Sequence, residues 1–196
     1  MNDLAFDESR HIYKLDGIII PSVTQILNEG GLVNLDWIDA DLLADKADLG
    51  QKVHSTTELY DTQDLDFNKL HPTLKNYLDG WIKFRKDYDF IPAEIEMQLF
   101  HPVYRYAGRI DRVGFAKEDL TIVDIKSGTK QKVHALQTAG YKCMYDVGKK
   151  KTEQIKRRLC VYLNQDGYKV EEYKNTQDIN VFLSALTITN YKRGLK

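Results

Sequence analysis

Two predicted strands carry charged side chains at a spacing that suits metal-dependent hydrolysis. In Asp124-Ile125-Lys126 a carboxylate and an ammonium lie two residues apart, so both side chains emerge from the same face of a strand. Asp111 lies in the preceding strand, and a connection with an even number of residues, such as Ala116 to Asp119, would place it opposite Asp124. The two carboxylates and the carbonyl oxygen of Ile125 would offer the oxygen ligands that Mg²⁺ prefers.

A metal ion in such a pocket would support phosphodiester hydrolysis. It would polarise a phosphoryl oxygen and lower the pKa of a bound water, while Lys126 holds that water or helps to deprotonate it. An acid-x-Lys triplet alone is weak support, because a cross-strand salt bridge explains it equally well. The chain has a second triplet, Glu172-Tyr173-Lys174, with no carboxylate on an obvious partner strand, and we interpret it as a solvated edge.

The first thirty residues predict a small ribbon and a short helix. Residues 11–20 contain Asp16-Gly17, which tolerates the positive φ angles of a tight turn and therefore predicts a hairpin. Ser22-Val-Thr-Gln25 follows the capping-box pattern of a helix start, and we expect this helix to reach Asn28.

Two longer helices are expected before the strands. Residues 39–61 lack proline and place His54 and Glu58 one turn apart on one helix face. Residues 68–88 have an apolar stripe of helical spacing that includes several aromatic side chains. We expect these aromatic side chains to pack in the core.

From Ala93 the pattern changes to the alternation of a strand, with Glu96 on its polar face. This order of elements predicts an α/β or α+β fold with a central mixed sheet flanked by helices. We expect one domain over residues 1–196, in which residues 1–90 elaborate a core of residues 91–175 that a C-terminal helix follows. The further strands are expected at residues 104–115, 121–126, 158–163 and 168–173, and the further helices at 133–147 and 176–191.

Composition excludes several classes of protein. The 196 residues include 28 Lys and Arg and 29 Asp and Glu, and the net charge of −1 excludes a wholly basic nucleic-acid-binding protein. Two cysteines are too few for a disulfide scaffold or a cysteine-ligated iron–sulfur cluster. The chain contains no Gly-x-x-x-x-Gly-Lys-Ser/Thr loop, so no nucleotide cofactor is expected. No apolar run approaches a membrane span and the N-terminus is acidic, so we expect a cytoplasmic protein without membrane contact.

Charge is unevenly distributed along the chain. Residues 1–60 have a net charge of −7, whereas residues 126–158 have a net charge of +8. The basic segment is either a solvated Lys and Arg surface or a track for phosphate groups, and charge alone does not decide between them.

Several motifs in a fixed order give the sequence a family resemblance. The sequence resembles the PD-(D/E)XK nuclease superfamily, and within it the RecB-like and phage-type exonuclease branch. The resemblance covers residues 11–145. It depends on Gly50-x-x-Val-His54, Gly108-Arg-Ile-Asp111, Val123-Asp-Ile-Lys-Ser-Gly128 and Gln137-x-x-x-Tyr141.

This resemblance implies roles for individual residues. Asp111 and Asp124 would bind the metal, Mg²⁺ or Mn²⁺, and Lys126 would be the catalytic lysine. His54 matches the histidine that completes the metal site in this branch. Two further residues are weaker candidates: Glu58 faces the same pocket or extends the helix surface, which we favour, and Glu96 approaches the site from its strand. Gln137 and Tyr141 would support the lysine or contact DNA, although their spacing also suits core packing.

The resemblance also implies DNA as the partner. The basic segment would then contact the DNA backbone without reading sequence. An exonuclease in recombination, repair or phage DNA processing is favoured, in a bacterium or phage-infected cell, with a recombination or annealing protein as a possible partner. A structure-specific or restriction-type endonuclease and a non-catalytic DNA-binding subunit are the alternatives. The basic residues concerned are Lys130, Lys132, Lys142, Lys149, Lys150, Lys151, Lys156, Arg157 and Arg158.

Overall fold

Strands of the chain form two sheets, of three and of five strands. The structure is a computed structural model that describes residues 3–8, 10–33 and 39–194. The strands are β1 (Leu4–Asp7), β2 (Ile12–Leu15), β3 (Ile18–Ile20), β4 (Phe90–Phe100), β5 (Ala107–Ala116), β6 (Asp119–Lys126), β7 (Arg157–Asn164) and β8 (Gly167–Glu172). The helices are α1 (Val23–Glu29), α2 (Ala40–Asp61), α3 (Pro72–Asp87), α4 (Val133–Asp146) and α5 (Asp178–Arg193).

The larger sheet has the strand order β4-β5-β6-β7-β8. Strands β6 and β7 are parallel, whereas every other neighbouring pair in this sheet is antiparallel. A parallel pair needs a crossover connection, and α4 provides it. Helices cover both faces, because one apolar cluster joins the sheet to α1, α4 and α5 and another joins it to α2 and α3. The fold is α+β with a mixed sheet flanked by helices, as the sequence predicted.

The smaller sheet is a ribbon whose strand order is β1-β2-β3. Its tight turn is at Asp16-Gly17, where φ is 52° and 79°, as expected for this dipeptide. Tyr13, Leu15 and Ile20 are buried against Ala107 at the start of β5. The small sheet is therefore fixed at one end of β5.

Local sequence signals account for the starts of the helices. At α1 the Ser22 hydroxyl accepts a hydrogen bond of 3.2 Å from the Gln25 N–H, and the Gln25 side chain accepts one of 3.0 Å from the Ser22 N–H. At α2 the Asp39 side chain accepts hydrogen bonds from two N–H groups of the first turn. At α3, Pro72 occupies the first turn, where no N–H donor is needed.

Some predicted boundaries were wrong. Strand β5 begins at Ala107 and not at residue 104, because the His101 ring accepts hydrogen bonds from the N–H groups of Val103 and Tyr104 and forms a turn there. Helix α3 begins at Pro72 and not at residue 68, because residues 67–69 form a separate 3₁₀ turn. Strand β1 was not predicted. Within the described part of the chain, none of the helices combines the length and the apolar character of a membrane span.

Candidate active site

A cavity of about 500 Å³ lies where the small sheet, α2, α4 and the larger sheet meet. It brings together residues that are up to 135 positions apart in the chain, from Phe6 to Tyr141. Of the residues singled out from the sequence, the cavity is lined by His54, Glu58, Glu96, Asp111, Lys126, Gln137 and Tyr141.

The register of β5 and β6 brings the two predicted carboxylates together. Arg112 pairs with Val123 and the strands are joined by a two-residue connection, so continuing the register by one residue places Asp111 opposite Asp124. This is the arrangement expected for an even-numbered connection. Asp111 is buried, and its Oδ2 accepts a hydrogen bond of 2.7 Å from the Ile125 N–H. The Ile125 carbonyl stays a predicted ligand.

The two carboxylate oxygens of Asp124 have different surroundings. Asp124 is 1% exposed. Its Oδ2 lies 2.7 Å from Lys126 Nζ and accepts a hydrogen bond of 3.1 Å from the Cys160 thiol. Its Oδ1 is buried and has no hydrogen-bond partner among the described residues. A buried oxygen without a partner is unfavourable, so this atom is suited to bind a cation.

Lys126 is held as an ammonium group. Burial lowers its pKa, but the carboxylates of Asp124 and Asp111 outweigh burial, and the pKa of Lys126 lies above its ordinary value. In this state the side chain donates hydrogen bonds to negative groups and does not accept a proton from water.

His54, Glu96 and Asp111 form a compact acidic cluster. One ligand atom from each lies within 4.8 Å of the others. His54 Nδ1 is 3.7 Å from Asp111 Oδ2 and 4.0 Å from Glu96 Oε1. Burial lowers the pKa of His54, but the two carboxylates reverse this effect and raise it. Asp124, expected in the same ligand set, pairs with Lys126 and is not part of this cluster.

Glu96 reaches the cluster from an unusual backbone conformation. Its φ is 50°, in the left-handed region that residues other than glycine rarely adopt. Its carboxylate is held on both oxygens, by Arg112 at 2.9 Å and by Arg109 at 3.0 Å. Burial raises the pKa of Glu96, but His54 and these arginines outweigh burial, and the pKa of Glu96 lies below its ordinary value. The carboxylate is therefore ionised. Glu96, a weaker candidate from the sequence, therefore lies within the cluster of His54 and Asp111.

A fully buried arginine connects α2 to the strand that carries Asp111. Arg112 donates to Asp61 at 2.7 Å, and Asp61 also accepts a hydrogen bond of 2.7 Å from Arg85. Because α2 carries His54, this network holds the histidine against the strands. Sequence reasoning missed Asp61, Arg112 and Cys160. Of these three residues, only Arg112 had a hint in the sequence, because it directly follows the motif Gly108-Arg-Ile-Asp111.

Gln137 and Tyr141 lie on α4 and line the cavity. The Gln137 amide donates a hydrogen bond of 3.1 Å to the Tyr141 hydroxyl. Tyr141 also belongs to the apolar core, and a Cβ added at Gly108 would lie 2.9 Å from its ring. Tyr141 therefore packs in the core and also lines the cavity, whereas Gln137 lines the cavity, and their support of the lysine or contact with DNA stays a prediction. Glu58 is half-buried and also lines the cavity, but it is not part of the cluster of His54, Glu96 and Asp111.

The basic segment is less uniform than the sequence suggested. Lys130 pairs with Glu171 at 2.7 Å, and Lys149 lies 3.2 Å from the centre of the Tyr145 ring. Arg158 is buried and pairs with Asp178 at 2.8 Å, so it was wrongly included in a track for DNA. Three other members of the segment are partnered or exposed: Arg157 pairs with Glu172, and Lys150 and Lys151 are exposed.

Comparison with known proteins identifies the family. Residues 40–187 match the family described as the PD-(D/E)XK nuclease superfamily. A solved structure described as "Crystal structure of SSO0001" is similar to this chain with 14% identity and a TM-score of 0.36, over 57% of this chain and 55% of that one. The chain thus matches about half the length of that protein. No curated protein sequence matches significantly.

The chain belongs to the PD-(D/E)XK nuclease superfamily, whose members are metal-dependent nucleases. The donor set of the cavity fits a divalent cation, since it combines carboxylates with one imidazole. The unpartnered Oδ1 of Asp124 supports the same conclusion.

Proposed function

We propose that this protein is a Mg²⁺- or Mn²⁺-dependent deoxyribonuclease that hydrolyses phosphodiester bonds in the cavity around Asp111. The observation that carries the proposal is the unpartnered, buried Oδ1 of Asp124, which lies in the same carboxylate group that pairs with Lys126. A salt bridge with Lys126 gives Oδ2 of Asp124 a partner but leaves Oδ1 without one.

The proposed ligands are Asp111, Asp124, His54 and the Ile125 carbonyl, with Glu96 as a further donor in the cluster. A bound divalent cation would supply Lewis-acid activation of a phosphoryl oxygen and of water. The His54 imidazole must be neutral to bind a metal, so a cation would displace the proton that the carboxylates favour.

Side chains on the cavity wall are proposed to position the scissile phosphate. The Lys126 ammonium would stabilise negative charge on the phosphate oxygens, since its raised pKa keeps it charged. Gln137 and Tyr141 would hold the lysine or the DNA strand, because both line the cavity beside it.

We infer that the enzyme is an exonuclease with a role in DNA recombination, repair or phage DNA processing. This preference, with a cytoplasmic location and a recombination or annealing protein as partner, rests on the resemblance of the motifs to the RecB-like branch. We further propose that residues 1–196 form one nuclease domain, since clusters of buried residues join the helices to the larger sheet. Exposed Lys150 and Lys151, with Lys130 and Lys149, are proposed to contact the DNA backbone.

Digestion of one plasmid in linear and covalently closed circular forms tests this proposal. We expect Mg²⁺-dependent loss of the linear form only, abolished by Lys126→Ala and retained by Lys174→Ala. Lys174 is the matched control, because it also follows an acidic residue by two positions but is 78% exposed. Cutting of the circle would favour the endonuclease alternative. No cleavage of either form, nor of an added single strand, would favour a non-catalytic DNA-binding subunit.

Metal dependence gives an independent test. Because the donors are mostly hard oxygens, we expect Mg²⁺ and Mn²⁺ to support cleavage. Ca²⁺ accepts the same donors but takes more ligands at longer distances, so we expect it to bind without supporting cleavage. The measurement is the initial rate of digestion after removal of metal and addition of each ion. Undiminished cleavage in excess EDTA would contradict the proposed site.

A further inference from the structure

The cavity has a wall that the metal chemistry does not use. It consists of three aromatic side chains of the small sheet, Phe6, His11 and Tyr13, here called the aromatic wall, and all three line the cavity. We propose that the aromatic wall stacks against an unpaired base next to the scissile phosphate, so that the enzyme acts on a single-stranded segment or end of DNA. This inference rests on the proposed nuclease function.

The rings of the aromatic wall are arranged around Phe6. Phe6 stacks on Tyr13 with ring centres 4.4 Å apart, and His11 approaches Phe6 edge-on at 5.3 Å. Tyr13 is buried, Phe6 is half-buried and His11 is exposed. Burial and the nearby Arg109 lower the pKa of His11, so its ring is neutral at neutral pH. The wall therefore offers uncharged aromatic surface to the cavity.

The aromatic wall is fixed by the fold. Phe6 and Tyr13 are directly paired residues of β1 and β2, a position in which aromatic side chains interact across strands. Behind them, Leu15 and Ile20 pack against Ala107 of β5. The rings are thus held at a set position relative to the strand that carries Asp111.

A cation lies between the aromatic wall and the acidic cluster. Arg109 pairs with Glu96 at 3.0 Å and is 41% exposed, and its charge contributes, after burial, to the lowered pKa of His11. An arginine between a stacking surface and the acidic cluster suits a nucleotide, whose phosphate needs a cation and whose base needs an aromatic face.

The size of the cavity favours an unpaired strand over a duplex. A volume of about 500 Å³ is that of a small-ligand pocket. A base within a duplex has both faces covered by its neighbours, so it must leave the stack before an aromatic side chain can contact it. A strand that is already single satisfies this requirement without unpairing.

A double-mutant cycle between protein and DNA tests the proposal. Binding would be measured by fluorescence anisotropy in Mg²⁺, with phosphorothioate-linked single strands that resist hydrolysis and with one abasic nucleotide placed at each position in turn. We expect one position at which loss of the base weakens binding to the wild type by about 5- to 150-fold. Phe6→Leu should weaken binding to the intact strand similarly and show no further loss with the abasic strand.

Two variants separate stacking from packing. Phe6→Tyr keeps an aromatic face and should restore the sensitivity of binding to the abasic nucleotide. Phe67→Leu removes an exposed phenylalanine that does not line the cavity and should leave binding unchanged. Thermal unfolding of each variant checks that Leu preserves the fold. Equal losses from the abasic nucleotide in wild type and Phe6→Leu, or tighter binding of a blunt duplex than of a single strand, would overturn the proposal.

Failure of the nuclease function is distinguishable from failure of this inference. The binding cycle needs no cleavage. If Phe6 and the base are coupled as expected but the protein never cleaves DNA, only the nuclease proposal is refuted. Cleavage that depends on Asp124, together with no coupling at Phe6, would remove only the aromatic wall.

Discussion

The chain contains two acid-x-Lys triplets with opposite surroundings. Asp124-Ile125-Lys126 lies on β6, in the middle of the larger sheet, where Asp124 is 1% exposed. Glu172-Tyr173-Lys174 begins at the end of the edge strand β8, and its lysine lies 3.7 Å from the carboxylate with 78% of its side chain exposed. The same local pattern therefore gives a candidate catalytic centre in one place and a weak surface pair in the other.

The difference arises from what surrounds each carboxylate. Glu172 is held by Arg157 through two hydrogen bonds of 3.1 and 3.2 Å, which lowers its pKa and leaves both oxygens with a partner. Asp124 has one oxygen with no partner. Burial and an incomplete set of partners, and not the triplet itself, distinguish a site from a salt bridge.

The largest expected effect is on catalysis. Asp124→Asn should lower the cleavage rate by about a hundredfold to a thousandfold, because it removes a negative charge that the proposed metal ion requires. DNA binding should be largely retained. Glu172→Gln is the matched change in the second triplet and should leave the rate within about twofold. Equal rates for the two variants in single-turnover digestion would refute the assigned site.

The next effect is on stability. Arg112→Met should lower the free energy of unfolding by about 3–5 kcal/mol, because it removes the fully buried arginine shared by the carboxylates of Asp61 and Glu96 and leaves each with only one arginine partner. Arg157→Met, beside the second triplet, removes a partly exposed ion pair and should cost about 1 kcal/mol or less. Chemical denaturation measures both. A similar loss in the two variants would show that burial does not separate the regions.

His54 should make metal binding depend on pH. The pKa of His54 is raised in the folded protein, so protonated His54 stabilises the metal-free fold at pH values below the ordinary histidine pKa. This stabilisation is lost as pH rises through the higher pKa of the folded state. Metal competes with that proton, so the apparent Mn²⁺ affinity should rise over the same pH range. Titration of Mn²⁺ by calorimetry should show this slope in the wild type and a flatter one in His54→Gln. An identical pH slope in that variant would exclude His54 as a ligand.

The smallest effect should come from the lysines of the basic segment. Replacing Lys149, Lys150 and Lys151 by Ala should weaken DNA binding and reduce the salt slope of log K by up to about 2 to 3, as expected for lost phosphate contacts. The control replaces Lys75, Lys83 and Lys86 on α3, which removes the same charge elsewhere. If both triple variants change the slope equally, the first three lysines contribute only net charge.

Much of the fold followed from local patterns. The alternation after Ala93, the capping box at Ser22 and the turn at Asp16-Gly17 each depend on neighbours within a few residues, and each predicted element is present. The two wrong boundaries, for strand β5 at Tyr104 and for helix α3 at residue 68, also have local causes. The His101 ring forms a turn at Tyr104 and residues 67–69 form a 3₁₀ turn, so in both places a turn interrupts the apolar periodicity.

By itself the sequence predicted the superfamily and the mixed sheet with its helices, which the family match and the structure confirm. It placed Asp111 opposite Asp124 on the condition of an even-numbered connection, and the register of β5 and β6 meets that condition. Only the tertiary structure decided that Glu96 joins His54 and Asp111, that Asp61 holds Arg112, and that the small sheet brings aromatic rings to the cavity. These contacts join elements that are distant in the chain. They depend on how helices and sheets pack, and no local period or spacing records that packing.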